Sequence, residues 1–160
     1  MPIALEFHQK RCEQVGYATE LLLRTSRRSF SLSSIEYWVL PAIALRQIKF
    51  FFDVRGSPIA YIMWAFLSSE VSNRMERDDV NVLHLSEWNE GLDLWVLDLV
   101  APYGHARAVT TFARHQLFKD HYRVRAIRRH EDETMKRLID HKLHRQKTTA
   151  DRTPIKLTIG

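Results

Sequence analysis

The run Leu92-Asp-Leu-Trp-Val-Leu-Asp-Leu-Val-Ala101, followed by Pro102-Tyr-Gly-His105, decides the fold. It is the most apolar segment of the chain and is stopped by a Pro-Tyr-Gly turn, the length and punctuation of a buried strand. From His105 to Phe118 no Pro or Gly intervenes, and Val109, Phe112, Ala113 and Leu117 recur at helical spacing, which predicts a helix with these four side chains inward. A strand that ends in a turn and opens a helix is where folds with such units place an anionic ligand, because free backbone N–H groups converge there. Gly104 and His105 stand at that point.

Working toward the N-terminus, Ile48-Lys-Phe-Phe-Phe-Asp-Val54 and Ile59-Ala-Tyr-Ile-Met-Trp-Ala-Phe66 flank a turn at Arg55-Gly-Ser-Pro58 and predict a hairpin. Glu6 to Thr25 predicts a helix, and Ser34 caps a second whose stripe Ile35, Trp38 and Val39 is closed or kinked by Pro41. Ser68 to Leu85 reads as a solvated helix and connector, and Trp88-Asn-Glu-Gly91 as a turn. Toward the C-terminus, Arg123 to Arg128 alternates as a strand does, Asp132 to Gln146 predicts a basic amphipathic helix, and residues 147–160 predict a polar basic tail. This order predicts an α+β domain over residues 1–146, with a mixed, mostly antiparallel sheet flanked by helices.

A chain of 160 residues forms one core, which excludes a multidomain enzyme. Cys12 is the only cysteine, so an internal disulfide framework and a Cys-rich zinc site are both excluded, and the cytosol is the expected compartment. No window reaches the roughly 18 apolar residues of a membrane span, and the charges at Glu6, Lys10, Arg11 and Glu13 replace the apolar run of a signal peptide. The net charge of +5 calls for an acidic partner. From Arg123 onward eleven Lys or Arg face five acids, so the excess is concentrated at the C-terminus.

Asp98 is the sharpest single residue, a lone carboxylate within Leu94-Trp-Val-Leu-Asp-Leu-Val100. Burying it costs several kcal/mol unless it is paired or takes part in chemistry. Regular alternation places it on one face with Leu94, Val96 and Val100, buried and facing a basic group. Eight histidines sit mostly among charges, and His141-Lys-Leu-His144 has helical i,i+3 spacing but no third ligand, so no metal site is expected. Arg24-Thr-Ser-Arg27-Arg28 and the Arg123–Arg129 segment are basic patches, suited either to a solvated face or to docking an acidic carrier or nucleic acid.

Four stretches in order carry a resemblance. Val39-Leu-Pro-Ala-Ile43, Pro58-Ile-Ala-Tyr-Ile-Met-Trp-Ala65, Trp88 to Gly104 and Arg125-Ala-Ile-Arg128 resemble the VLPAI, P-[IV]-A-[YF]-C-S-W-A, W-x-S-G-D-x-x-W-F-I-D-W-I-A-P-F-G and RAIR motifs of the RTX toxin-activating lysine acyltransferases. The resemblance implies a GNAT-like fold, a cytosolic homodimer, and transfer of a fatty acyl group from acyl carrier protein to internal lysines of an RTX-type protoxin. It implies no bound cofactor and no stable membrane insertion.

Asp98 falls on the family's catalytic aspartate, whereas Arg27 falls on its catalytic histidine and Ile62-Met63 on its Cys-Ser pair. Arg27 is expected to face Asp98. Arginine stays protonated and cannot take a proton from lysine. The donor-binding set implied is Arg24, Arg28, Arg125, Arg128, Trp64, Gly104 and His105. Three functions stay open: an acyltransferase relying on Asp98 or recruiting His105; an impaired relative that binds or regulates the carrier or toxin; and a basic nucleic-acid module, which lacks any reader motif.

Overall fold

A computed structural model describes residues 3–26, 32–77, 82–129 and 135–143. The expected tail 147–160 and the positions of Arg27 and Arg28 lie outside them. Helix α1 (Ile3–Leu23) is followed by α2 (Leu32–Ser34), a π turn (Ile35–Val39) and α3 (Leu40–Ala44). The π turn explains how Pro41 is accommodated. Proline has no N–H and its ring crowds the carbonyl one turn back, and the wider turn, in which the Leu40 N–H donates to the Ile35 carbonyl, lets the helix run on to Ala44 instead of ending.

Strands β1 (Ile48–Phe52), β2 (Pro58–Leu67), β3 (Asp93–Val100), β4 (Arg123–Arg129) and β5 (Met135–Lys142) form one sheet in chain order. All neighbours are antiparallel except β3 and β4, which are parallel. Helix α5 (Ala106–Phe112), prolonged by a π turn (Ala113–Leu117), makes the crossover between those two, as a parallel pair requires. The expected mixed, mostly antiparallel sheet flanked by helices is what the chain forms, and it agrees with a GNAT-like arrangement.

Side-chain alternation along β2 builds two cores. Tyr61, Met63, Ala65 and Leu67 face α1 and α3, where they meet Ala18, Leu21, Val39, Ala42, Trp88 and Trp95. Ala60 and Ile62 face α5, where they meet Leu94, Val109, Ala113 and Phe118. Trp88 and Trp95 are both wholly buried. Each contributes about 4–6 kcal/mol of transfer free energy before the cost of ordering it, so the Trp95 end of β3 is firmly anchored.

Three expectations need correction. Residues 135–142 are a strand, not part of a helix: Met135–Lys142 satisfies both periods, and pairing decides, because Leu138 opposite Ile127 joins the α1-side core. His141 therefore lies on a strand, and its proposed helical partner His144 is outside the described residues. Helix α4 (Ser69–Glu76) is not a solvated connector, since it buries Val71, Ser72 and Met75, and Ser72 Oγ accepts from the Trp95 indole at 2.9 Å. Phe112 is 38% exposed and covers the core only edge-on, through its ring contact with Phe51.

Candidate active site

Asp98 lies near the C-terminal end of β3, on the face opposite to the one that simple alternation assigns. Met63 pairs with Asp98 and Trp64 with Val96, so Leu97 is an extra residue in β3, a β-bulge. One extra residue flips the pattern. Leu94 and Val96 face α5, while Leu97, Asp98 and Val100 face α1 with Trp95. Asp98 is also half-buried rather than buried. The Tyr61 hydroxyl donates to Asp98 Oδ2 at 3.0 Å, and Tyr61 itself is 1% exposed, so one carboxylate oxygen is held by a fixed donor from within the core.

Beside Asp98 the sheet parts. β3 and β4 pair only at Trp95 with Arg125 and at Val96 with Ala126. Past these positions Leu97 to Val100 and Ile127 to Arg129 have no ladder partners on one another, among the described residues. Four residues of β3 leave a wedge about 13 Å long. Its walls carry backbone N–H and C=O groups that require partners, and an extended chain bearing amides satisfies them as an added strand does.

Beyond Val100 the turn passes through Gly104, whose φ of 87° is a left-handed conformation that disfavours any other residue. His105 then opens α5. An open groove of about 660 Å³ runs along this helix between Gly104 and Gln116, with His105, Arg107, Thr111, Phe112 and His115 on its walls. Helix α5 packs on the face away from Asp98, so His105 is not brought to the carboxylate. Trp64 is on this same α5 face, its ring edge-on to Phe118 at 5.5 Å.

Among the described residues some basic side chains are held in ion pairs and others are exposed. Arg125 is directed inward: its Nη1 lies 3.1 Å from Glu76 and 3.4 Å from Asp93, and its guanidinium stacks over Trp95. Its side chain is 12% exposed and its charge is met inside the chain, which leaves little of it for a docking partner. Arg123 forms a two-pronged pair with Asp140 across β4 and β5. The hydrogen bond from Arg123 holds the Asp140 carboxyl below its usual range, and Asp140 raises Arg123 in return. Arg24, just past the end of α1, and Arg128, on the parted end of β4, are exposed. Among the described residues no cluster of three His, Cys, Asp or Glu is placed for a metal, and no helix is long and apolar enough to cross a membrane.

Tyr61 is the site residue that sequence reasoning missed. Within Ile59–Phe66 it looks like any core aromatic; only its place two residues from Met63 on β2, and so on the Asp98 face, distinguishes it. Gly91 is fixed by the same strand: a Cβ there would stand 2.1 Å from the Leu67 carbonyl oxygen.

The profile of the RTX toxin acyltransferase family matches residues 8–142. The lysine-acyltransferase RtxC of Vibrio cholerae serotype O1 is 32% identical over 80 residues, covering 50% of this chain and 52% of its own length. The RTX-II toxin-activating lysine-acyltransferase ApxIIC of Actinobacillus pleuropneumoniae is 39% identical over 77 residues, 48% of this chain and 47% of its own. The leukotoxin-activating lysine-acyltransferase LtxC of Aggregatibacter actinomycetemcomitans is 38% identical over 95 residues, 58% and 55%. The chain thus spans about half the length of the curated relatives it matches. The match of the family profile to residues 8–142 encloses the strand of Asp98, the Tyr61 strand and the parted β3 and β4, and the chain belongs to the RTX toxin acyltransferase family.

Proposed function

We propose that this chain transfers a fatty acyl group from acyl carrier protein to lysine ε-amino groups of an RTX-type protoxin. The observation that carries this reading is Asp98, held by buried Tyr61 at the edge of the wedge, in a chain of this family. The carrier's prosthetic arm carries amides and a terminal thioester, and the open walls of β3 and β4 suit it. The lysine arrives on the α1 face, where its ammonium meets the Asp98 carboxylate.

The chemistry is a simple exchange. Lysine near pKa ~10.4 is charged at neutral pH and must lose a proton before its nitrogen attacks the thioester carbon. That first proton passes to solvent; the C–N bond then forms, the C–S bond breaks, and the second proton, shed by the attacking nitrogen, goes to the thiolate as a thiol. Nothing is oxidised or reduced, and no resident cofactor is needed. The role of Asp98 is to draw the ammonium in and stabilise the positive charge as the proton leaves. In this reading the enzyme acts in the cytosol as a homodimer. The exposed Leu5 and Phe7 of α1 supply apolar surface for a second copy.

A second reading is favoured by Arg27, which stands where the family has its catalytic histidine: an impaired member that binds the carrier or toxin without turning over. Transfer of a radiolabelled acyl group from carrier to a lysine-bearing toxin fragment separates the two. Label on the fragment supports catalysis, and tight binding with no label supports the second reading.

A further inference from the structure

We propose that the acidic acyl carrier docks on the α5 face of the sheet, against Arg107, Arg114, Arg128 and Arg137. The proposal rests on the acyl-transfer reading for the identity of the partner, but the location follows from charge. From Leu99 to Lys119 the chain has Arg107, Arg114 and Lys119, with His105 and His115, and no Asp or Glu. All five of these basic residues are exposed. Val109 and Ala113 take the buried side of the helix, while Arg107, Thr111 and Arg114 recur at i, i+4 and i+7 along the outer side.

A second observation lies on the other side of the wedge. Arg128 pairs directly with Arg137 across β4 and β5, and both are exposed. By alternation from Val124, which packs in the α5-side core, Arg128 faces the same side as α5. Like charges directly opposite on a sheet destabilise it, and an anionic surface lying over both relieves the repulsion. The paired Arg123 and Arg125 gain nothing from such a partner. The wedge opens between these two exposed groups, so a carrier seated on both delivers its arm between β3 and β4, away from the Asp98 face that the lysine uses.

The test measures binding of a fluorescently labelled, palmitoyl-loaded bacterial acyl carrier protein to the full chain. The double reversals Arg107→Glu/Arg114→Glu and Arg128→Glu/Arg137→Glu should each raise Kd by about tenfold or more and flatten its salt dependence. The double reversal Lys10→Glu/Arg11→Glu, an equal charge change on exposed positions of α1, should leave Kd alone. The neutral pair Arg107→Gln/Arg114→Gln should fall between, and circular dichroism confirms that each variant is folded. Transfer from a small palmitoyl-pantetheine thioester, which needs no carrier surface, should be unchanged in Arg107→Glu/Arg114→Glu, whose sites lie on α5 and outside the wedge. If that donor is inert with wild type while carrier binding still depends on the four arginines, the acyl-transfer reading fails and the docking face stands. Unchanged Kd in both reversals, a loss confined to Arg24→Glu, or no carrier binding by wild type overturns the proposal.

Discussion

The Tyr61 hydroxyl reaches Asp98 Oδ2 at 3.0 Å across two neighbouring antiparallel strands. The contact exists because the bulge at Leu97 rotates Asp98 onto the face where Tyr61 points. The residue directly opposite Asp98 is Met63, so the hydroxyl meeting the carboxylate comes from one step further along the same face.

Tyr61→Phe keeps the ring packing and deletes only the donor. A hydrogen bond to a charged group contributes about 1.5–3 kcal/mol, and each 1.36 kcal/mol is tenfold in rate. Acylation kcat should therefore fall roughly 10- to 100-fold with KM for the lysine substrate little changed. A fall confined to KM, or none, would remove Tyr61 from the positioning role.

Arg27→His should raise acylation. A histidine near pKa ~6.5 can accept the lysine proton, with Asp98 available to orient the ring, an arrangement that supplies about 10²–10⁴ in rate. Only the neutral imidazole accepts a proton, so the variant's rate should climb as pH rises through ~6.5. If wild type is fast and the variant slower, the arginine contributes positively, as an oxyanion or phosphate contact.

Arg125→Met should destabilise the chain without weakening the carrier. Removing the guanidinium leaves Glu76 and Asp93 facing each other and strips the cation from Trp95. Both acids are about a third exposed, which reduces the penalty from that of a fully buried pair to about 1–2 kcal/mol. Urea unfolding reads the loss, and carrier titration should show no change in Kd.

The acid limb of stability should depend on Glu87. Burial alone would raise its carboxyl, but the hydrogen bond from Arg74 at 2.7 Å and the His84 N–H at 2.8 Å together hold it below its ordinary 4.5. A carboxylate lowered in the folded state stabilises fully above its unfolded pKa and loses that contribution as pH falls through the folded value. Glu87→Gln should therefore flatten the stability curve below pH ~4.5. An unaltered acid limb would mean that the tie between α4 and the 3-10 turn Leu85–Trp88 contributes nothing.

Much of this was legible in particular residues. Leu94 to Val100 is too apolar for anything but an interior strand, and the Gly-Ser-Pro turn set the first hairpin. What was not legible depended on partners. The Leu97 bulge has no local signature, since neither Gly nor Pro marks it, and so regular alternation puts Asp98 on the wrong face. Met135 to Lys142 supports both a helix and a strand until Ile127 and Arg123 supply Leu138 and Asp140 with partners. Arg125 reads as surface charge because Glu76 and Asp93 are distant in sequence.

The most direct measurement incubates the chain with radiolabelled acyl carrier protein and a toxin fragment bearing an acceptor lysine, comparing wild type with Asp98→Asn. Stable, hydroxylamine-resistant amide label on lysine with wild type, reduced about 10²-fold or more in Asp98→Asn, is the predicted result. Equal labelling by the two proteins, or none by folded wild type, would contradict the account.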